Sequence, residues 1–328
     1  GTAITTGDNN TAVGTDALEA STTAGANTAV GKAALGSTVT GGNNTAVGWL
    51  ALTSTTSTGN TGVGFNVLAD NTSGGDNTAI GINALADNTT ANNNVAVGNN
   101  SLRLNTTGAQ NVAVGAYALD GSTTASDCTA IGYATLTAAN TGTNNTALGA
   151  NAMQANTSGH SSTGLGRYAL QANTTGQHGV AVGNNALYSN TTGSNNIGIG
   201  SSALLANTTG TQNVAVGSNS LDANTTGNYN TSTGTYSLGA NTTGSSNTAI
   251  GHGALYANTE ANNNTAIGFQ SLYANTTGTQ NAALGMYSLK TSTTASNNTS
   301  VGYNSLANTT TGAGNTAVGH YALSANTT

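Results

Sequence analysis

One glycine recurs through the chain at a fixed interval, and this recurrence constrains the fold more than any other feature. It follows T-A-V or a close variant at Gly14, Gly31, Gly48, Gly64, Gly81 and onward to Gly302 and Gly319. These 19 anchors are 17 residues apart, except for a step of 16 between Gly48 and Gly64. With this glycine as position 5, the consensus is N-T-A-V-G-x-x-A-L-x-A-N-T-T-G-x-x. A 17-residue period is too short for helix-pair repeats and for leucine-rich repeats of about 20–29 residues. It fits one coil of a β-solenoid. Residues 1–328 therefore read as one continuous all-β array, a β-roll or β-helix of about 19 coils with a 17-residue repeat, uncapped at both ends.

The columns of the repeat suggest an inside and an outside. Position 4 is Val, Ile or Leu in 18 of 19 copies, with Thr233 the exception, and position 9 is Leu in 18, with Met153 the exception. Both are expected to form the core. Position 2, mostly Thr, becomes Val95, Val112, Val180, Ile197 and Val214, and residues two apart share a face of a strand. Position 2 is therefore expected to face inward beside position 4. Position 3 is always Ala, Gly or Ser, which predicts a smooth outer face open to close packing. The expected elements are a strand at positions 1–4, a turn at the glycine, a second strand near positions 8–13 and a turn at positions 14–17. A single coil buries too little apolar surface to offset the ordering of its backbone, so coils must stack. At about 4.8 Å per coil, the array predicts a rod about 90 Å long.

Asn occupies position 1 in 16 of 19 copies, the exceptions being Cys128, Ser162 and Gly179, and recurs at position 12, as in Asn156, Asn173, Asn190 and Asn207. Stacked identical amides that satisfy one another and the turn backbone are the expected arrangement. One repeat generates every N-T-T and N-N-T sequon, so the sequons say little about glycosylation. The position-5 glycine implies positive φ or close passage of another backbone. A phosphate loop would need a following helix and a Lys, and the repeat has neither. Thr is regular at positions 13 and 14, and rows of Asn from position 12 and Thr from position 14 are expected on the surface. The 16-residue repeat near Thr58 implies a kink or a shortened turn.

Composition narrows the function classes. Only 4% of residues are charged, against about 25% in ordinary domains. Four Lys/Arg and a net charge of −6 cannot build the footprint a phosphate backbone requires, so nucleic acid is not an expected partner. Ten acids spread over the array form no catalytic groove in sequence, and no enzyme activity or cofactor is expected. His160 and His178, at positions 16 and 17 of adjacent coils, are the one pair that suggests a metal contact; exposed turn histidines explain them better, and no metal site is expected. Cys128 stands in a ladder column as a small buried residue, and a lone cysteine excludes an intrachain disulfide. No apolar run reaches the roughly 18 residues of a membrane span. The absence of proline suits strands that donate and accept on both sides. The chain starts G-T-A-I-T-T-G and stops at A-N-T-T, which is expected of a segment of a longer protein or of subunits that stack end to end.

Variation concentrates at positions 6, 7, 10, 16 and 17. Of 14 aromatic residues, 13 lie at the first three: Trp49, Phe65, Tyr133, Phe269 and Tyr303 at position 6; Tyr117, Tyr168, Tyr236, Tyr287 and Tyr321 at position 7; Tyr188, Tyr256 and Tyr273 at position 10. All four cations, Lys32, Arg103, Arg167 and Lys290, are there too. Exposed Tyr and Arg are enriched in recognition surfaces, so this edge is the candidate interaction site.

The motifs N-T-A-V-G, A-L and A-N-T-T-G, as in residues 213–227, resemble the repeat regions of tail-fibre-type proteins of phages and bacterial surface proteins. The V-A-V-G and T-A-I-G core is similar to the β-roll head of trimeric autotransporter adhesins, whose coils are shorter. The resemblance implies a non-enzymatic structural fibre, extracellular, on a cell surface or on a virion, whose partners are other copies of itself in a filament or trimer. Adhesion to a surface glycan or receptor is a further expectation. The alternative is an ice-binding β-solenoid presenting ladders of Thr and Asn, although position 2, if it faces the core, leaves no paired T-x-T column.

Overall fold

A computed structural model describes residues 4–327. The chain divides into two compact units, residues 1–162 and 163–328. Each is a β-solenoid with one three-residue strand per coil at positions 2–4. Among the described residues, the first unit holds nine strands, from β1 (Thr11–Val13) to β9 (Thr146–Leu148), and the second holds ten, from β10 (Thr163–Leu165) to β19 (Thr316–Val318). Within each unit, successive strands pair in parallel and in register, as in Ile197↔Val214 and Ile199↔Val216. The uncapped ends expected at residues 1–3 and 328 lie outside the described residues. Among those described, no helix is long and apolar enough to cross a membrane.

Among the described residues, no second strand forms at positions 8–13. The chain turns there instead, and the coil spanning residues 196–212 shows how. Gly200, Ser202 and Leu204 have φ of 132°, 57° and 53°. This alternation points successive amides toward opposite neighbours: Gly200 and Ser202 donate to Val182 and Asn184 of the preceding coil at 2.8 and 2.9 Å, and Leu204 donates to Ser220 of the following coil at 3.1 Å. Ala203 and Asn207 close turns onto Gly200 and Leu204 within the coil. Most backbone N–H groups of the coil are thus committed, chiefly to neighbouring coils, and a proline at any of these positions would remove a bond. A left-handed leucine costs about 1–2 kcal/mol. Full burial of its side chain contributes about 1.5–3 kcal/mol and the hydrogen bond about 1 kcal/mol, which together offset that cost.

The position-5 glycine meets both demands expected of it. Its φ lies in a region open essentially to glycine alone, and a Cβ on Gly200 would sit 2.5 Å from the carbonyl oxygen of Gly217. The strand, by contrast, faces the opposite way from expectation. Position 3 is the buried residue: Ala29, Ala113, Ala215 and Ser232 are all 0% exposed. Positions 2 and 4 point outward and are half-buried or exposed. The position-9 leucines do form the core, fully buried from Leu35 to Leu306, whereas Leu323, in the last coil described, is 53% exposed. The following coil therefore supplies much of each leucine's cover.

Width explains the inversion. The leucine enters from the turn side and occupies most of a narrow interior, leaving only an alanine's space on the strand side. A Cβ at Gly62 would lie 3.1 Å from Val67 Cγ1 and 3.3 Å from Leu52 Cδ1. Position 8 is Val in that coil and nowhere else, so the larger residue at position 8 is matched by loss of a methyl at position 3. Where position 3 is Ser232, its hydroxyl bonds Ser220 at 2.8 Å and Ser237 at 2.5 Å, both at position 8.

Two amide ladders line the rest of the interior. Asn224 Nδ2 donates to Asn207 Oδ1 at 2.8 Å and to Gly227 O at 3.1 Å, and its own Oδ1 accepts from Asn241 at 2.9 Å. At position 1, Asn213 Oδ1 accepts the backbone N–H of Asn230 at 3.0 Å, and Asn213 Nδ2 also donates to Gly227 O at 2.8 Å. Both ladders thus converge on the position-15 carbonyl. The position-12 asparagines, expected on the surface, are buried, because period-2 alternation stops beyond the strand: positions 12, 15 and 1 turn inward at intervals of three. Only position 14 leaves an exposed Thr row. The 16-residue repeat makes no break in the sheet. Between β3 (Thr45–Val47) and β4 (Thr61–Val63) the register holds as Thr45↔Thr61 and Val47↔Val63, and the missing residue is absorbed between Thr56 and Ser57, where Ser57 O takes the place of the position-15 carbonyl and accepts from Asn44 Nδ2 at 2.9 Å.

Candidate interaction edge and sheet face

Positions 6 and 7 follow the glycine turn directly, and position 10 lies one turn later on the same side. The backbone holds the position-7 rings out in left-handed conformations: Tyr117, Tyr168, Tyr236, Tyr287 and Tyr321 have φ of 60°, 61°, 58°, 60° and 54°. Those of Tyr117, Tyr236, Tyr287 and Tyr321 are fixed from the preceding coil, as where Tyr117 N–H donates to Asn99 O at 2.9 Å. Of the 13 expected edge aromatics, Tyr168, Tyr273 and Tyr287 are half-buried and the rest exposed.

The structure brings these rings together unevenly. In the first unit Trp49 pairs with Phe65 at 5.1 Å and Tyr117 with Tyr133 at 6.1 Å. In the second, Tyr168 meets Tyr188 edge-on at 6.1 Å. From Tyr236 to Tyr321 a continuous network of ring contacts crosses six coils, joining Phe269 to Tyr287 at 5.6 Å and Tyr287 to Tyr303 at 6.2 Å. His252 and His320 belong to this network, stacked on Phe269 and Tyr303 at 5.4 Å each. Sequence reasoning passed over these two histidines, although both occupy position 6. The phenol of Tyr303 is pushed up by the adjacent Tyr321 hydroxyl.

Three of the four cations are held by neighbours on the same edge. Arg167 lies 4.4 Å from the Tyr168 ring centre, Lys290 lies 4.4 Å from that of Tyr287, and Arg103 Nε pairs with Asp120 at 2.9 Å. Burial, with Asp70 nearby, pushes the Asp87 carboxyl up, and burial does the same for Asp222. His160 lies in the first unit and His178 in the second. Among the described residues, no three His, Cys, Asp or Glu side chains gather as a metal site. Cys128 is buried, with its thiol pushed up by desolvation and its Sγ 3.4 Å from Gly142 O.

The inverted strand creates a second surface that the sequence reading placed inside. Position 4 now forms an outward apolar column: Ile80, Ile131 and Leu148 are 41, 36 and 44% exposed in the first unit, and Leu165, Val182, Ile199, Ile250 and Leu284 are 37, 36, 39, 40 and 48% exposed in the second. Beside it runs position 2, mostly Thr. No charged residue occupies either column in any repeat. The signal that could have revealed this face was the strict smallness of position 3, which marks a confined interior better than size marks a core. No protein-family model matches the chain, and no curated protein matches it in sequence.

Proposed function

We propose that this chain is a non-enzymatic structural protein, a β-solenoid segment of an extracellular or virion fibre that associates with copies of itself through its sheet face, with the aromatic edge as an adhesive surface. The observation that supports this reading best is the exposed Val/Ile/Leu column flanked by Thr with no charge on either. Contiguous apolar surface of this kind marks an interaction site, and an uncharged patch that can meet its own copy without like-charge repulsion suits the isologous contact of a homo-oligomer. The resemblance of the repeats to tail-fibre-type proteins and autotransporter heads points the same way. Velocity sedimentation and electron microscopy of the purified chain test it: oligomers or filaments are expected, and Val182→Lys with Ile199→Lys should shift the population toward monomer. A wild-type chain that stays monomeric at high concentration overturns the reading.

Ice binding is the second reading, favoured by one observation. With position 2 facing outward, the strands present Thr and Val or Ile as parallel ranks in register, which removes the objection that position 2 belongs to the core. Thermal hysteresis in a cooled solution of the chain would support it, and ice growth that begins as soon as the solution is cooled below its melting point excludes it.

A further inference from the structure

Within the longest aromatic network lies a slot of about 190 Å³ lined by Tyr236, His252, Gly253, Tyr256, Gln270 and Tyr273. Its origin is a single residue. Gly253 is the only glycine at position 7 of the repeat; it keeps the left-handed backbone of that column, with φ of 62°, but contributes no side chain below Tyr236. A Cβ there would meet its nearest neighbours, Gln270 Cγ and the Tyr273 ring, at 3.5 Å, an ordinary van der Waals distance, so these side chains and not the backbone bound the slot beside Gly253.

The walls are fixed rings. Tyr256 and Tyr273 stack at 5.3 Å with planes 12° apart, and His252 is braced by Phe269. Tyr236 stands nearly perpendicular to both His252 and Tyr256, at 6.2 and 6.4 Å. The polar groups are phenolic hydroxyls, the Gln270 amide and an imidazole, and no Lys, Arg, Asp or Glu lines the slot. Rigid aromatic walls with a few neutral donors and acceptors suit a ligand that has both a C–H face and a rim of hydroxyls. The volume is below the roughly 300–1,000 Å³ of drug-sized sites, which limits the occupant to about one ring.

We propose that this slot binds one neutral pyranose residue of a glycan. The inference rests on the adhesive part of the function proposed above and is independent of self-association, because no residue of the slot belongs to position 2 or 4. A contact with one small ring implies an affinity on the order of 1 mM, strengthened where several fibres meet one surface.

The test uses the full chain with labelled histidine. Methyl glucoside, methyl galactoside, methyl mannoside and N-acetylglucosamine are titrated while the His252 ring signal, assigned with His252→Gln, is followed by NMR. At least one neutral sugar should move it, saturating in the millimolar range. Gly253→Tyr should weaken binding at least tenfold by filling the slot; tyrosine already occupies this column at Tyr117, Tyr168 and Tyr287 with φ of 60°, 61° and 60°. Tyr256→Ser removes a wall without adding bulk and should weaken binding as well, which keeps the test decisive if the tyrosine variant misfolds. An unmoved His252 signal with all four sugars, or undiminished binding by both variants, overturns the proposal. A self-association variant that still binds separates this result from the fibre reading.

Discussion

Exchanging a methyl-sized residue for valine on the inner face of a strand asks directly which way the strand points. Ala215 is fully buried and pairs in register with Gly198 and Ser232. In the adjoining coil, a Cβ at Gly198 would already lie 3.2 Å from Ala203 O and 3.3 Å from Leu187 Cγ. Two further methyls at Ala215 must displace the leucine column, and overpacking of this kind costs about 1–3 kcal/mol. Ile199→Thr, on the outer face at 39% exposure, should cost about 0.5 kcal/mol. Repeat arrays open locally, so the readout is native-state hydrogen exchange across residues 196–230 at low protein concentration. Ala215→Val should speed exchange there about 5- to 150-fold, with Ile199→Thr close to wild type. Unchanged exchange in Ala215→Val together with faster exchange in Ile199→Thr would mean that the faces are reversed.

Further outcomes follow from polar groups that the coils bury wholly or in part. Asn224→Asp replaces two donated hydrogen bonds with a carboxylate facing Asn207 Oδ1 and Gly227 O; the loss should exceed about 3 kcal/mol at neutral pH. Burial raises the new carboxyl's pKa in the fold, so denaturant midpoints should show stability returning as pH falls toward its unfolded value near 3.9. Cys128→Asn restores a ladder amide and should stabilise by about 1 kcal/mol, while in the wild type the raised, buried thiol should react with thiol reagents at neutral pH only as fast as the coil opens. For Asp87, whose folded pKa is raised, the sign runs the same way: its contribution is most favourable below the ordinary carboxylate range and is lost as pH rises through the raised value. Asp87→Asn should therefore match wild type near pH 3 and exceed it at pH 7 in chemical denaturation.

Particular residues mark where the fold could be read without coordinates. The 17-residue step, the turn glycines and the leucine column need only periodicity, because each coil repeats the same local demand and errors cannot accumulate between copies. The amide ladders at positions 1 and 12 were legible for the same reason, although position 12 was also expected to face outward. Position 12 was misplaced because alternation was extended past a strand that is three residues long; beyond Gly200 the backbone alternates in the sign of φ, and no side-chain pattern encodes that directly when leucine itself adopts positive φ. For the candidate site, the positions of the 13 edge aromatics were readable, whereas the contacts among them and the inclusion of His252 were not.

What the amino-acid sequence determined alone is the unit of construction: coil length, the glycine at which each coil turns, the columns that must match from copy to copy, and the scarcity of charge that confines interaction to a few positions. The tertiary structure decided which side of each strand is inside. Periodicity two distinguishes two faces but assigns neither, and the assignment depends on how much interior width the leucine from the opposite wall has already taken. The same dependence on neighbours made a slot of Gly253, since an absent side chain becomes a site only when the rings of the coils on either side hold the space open.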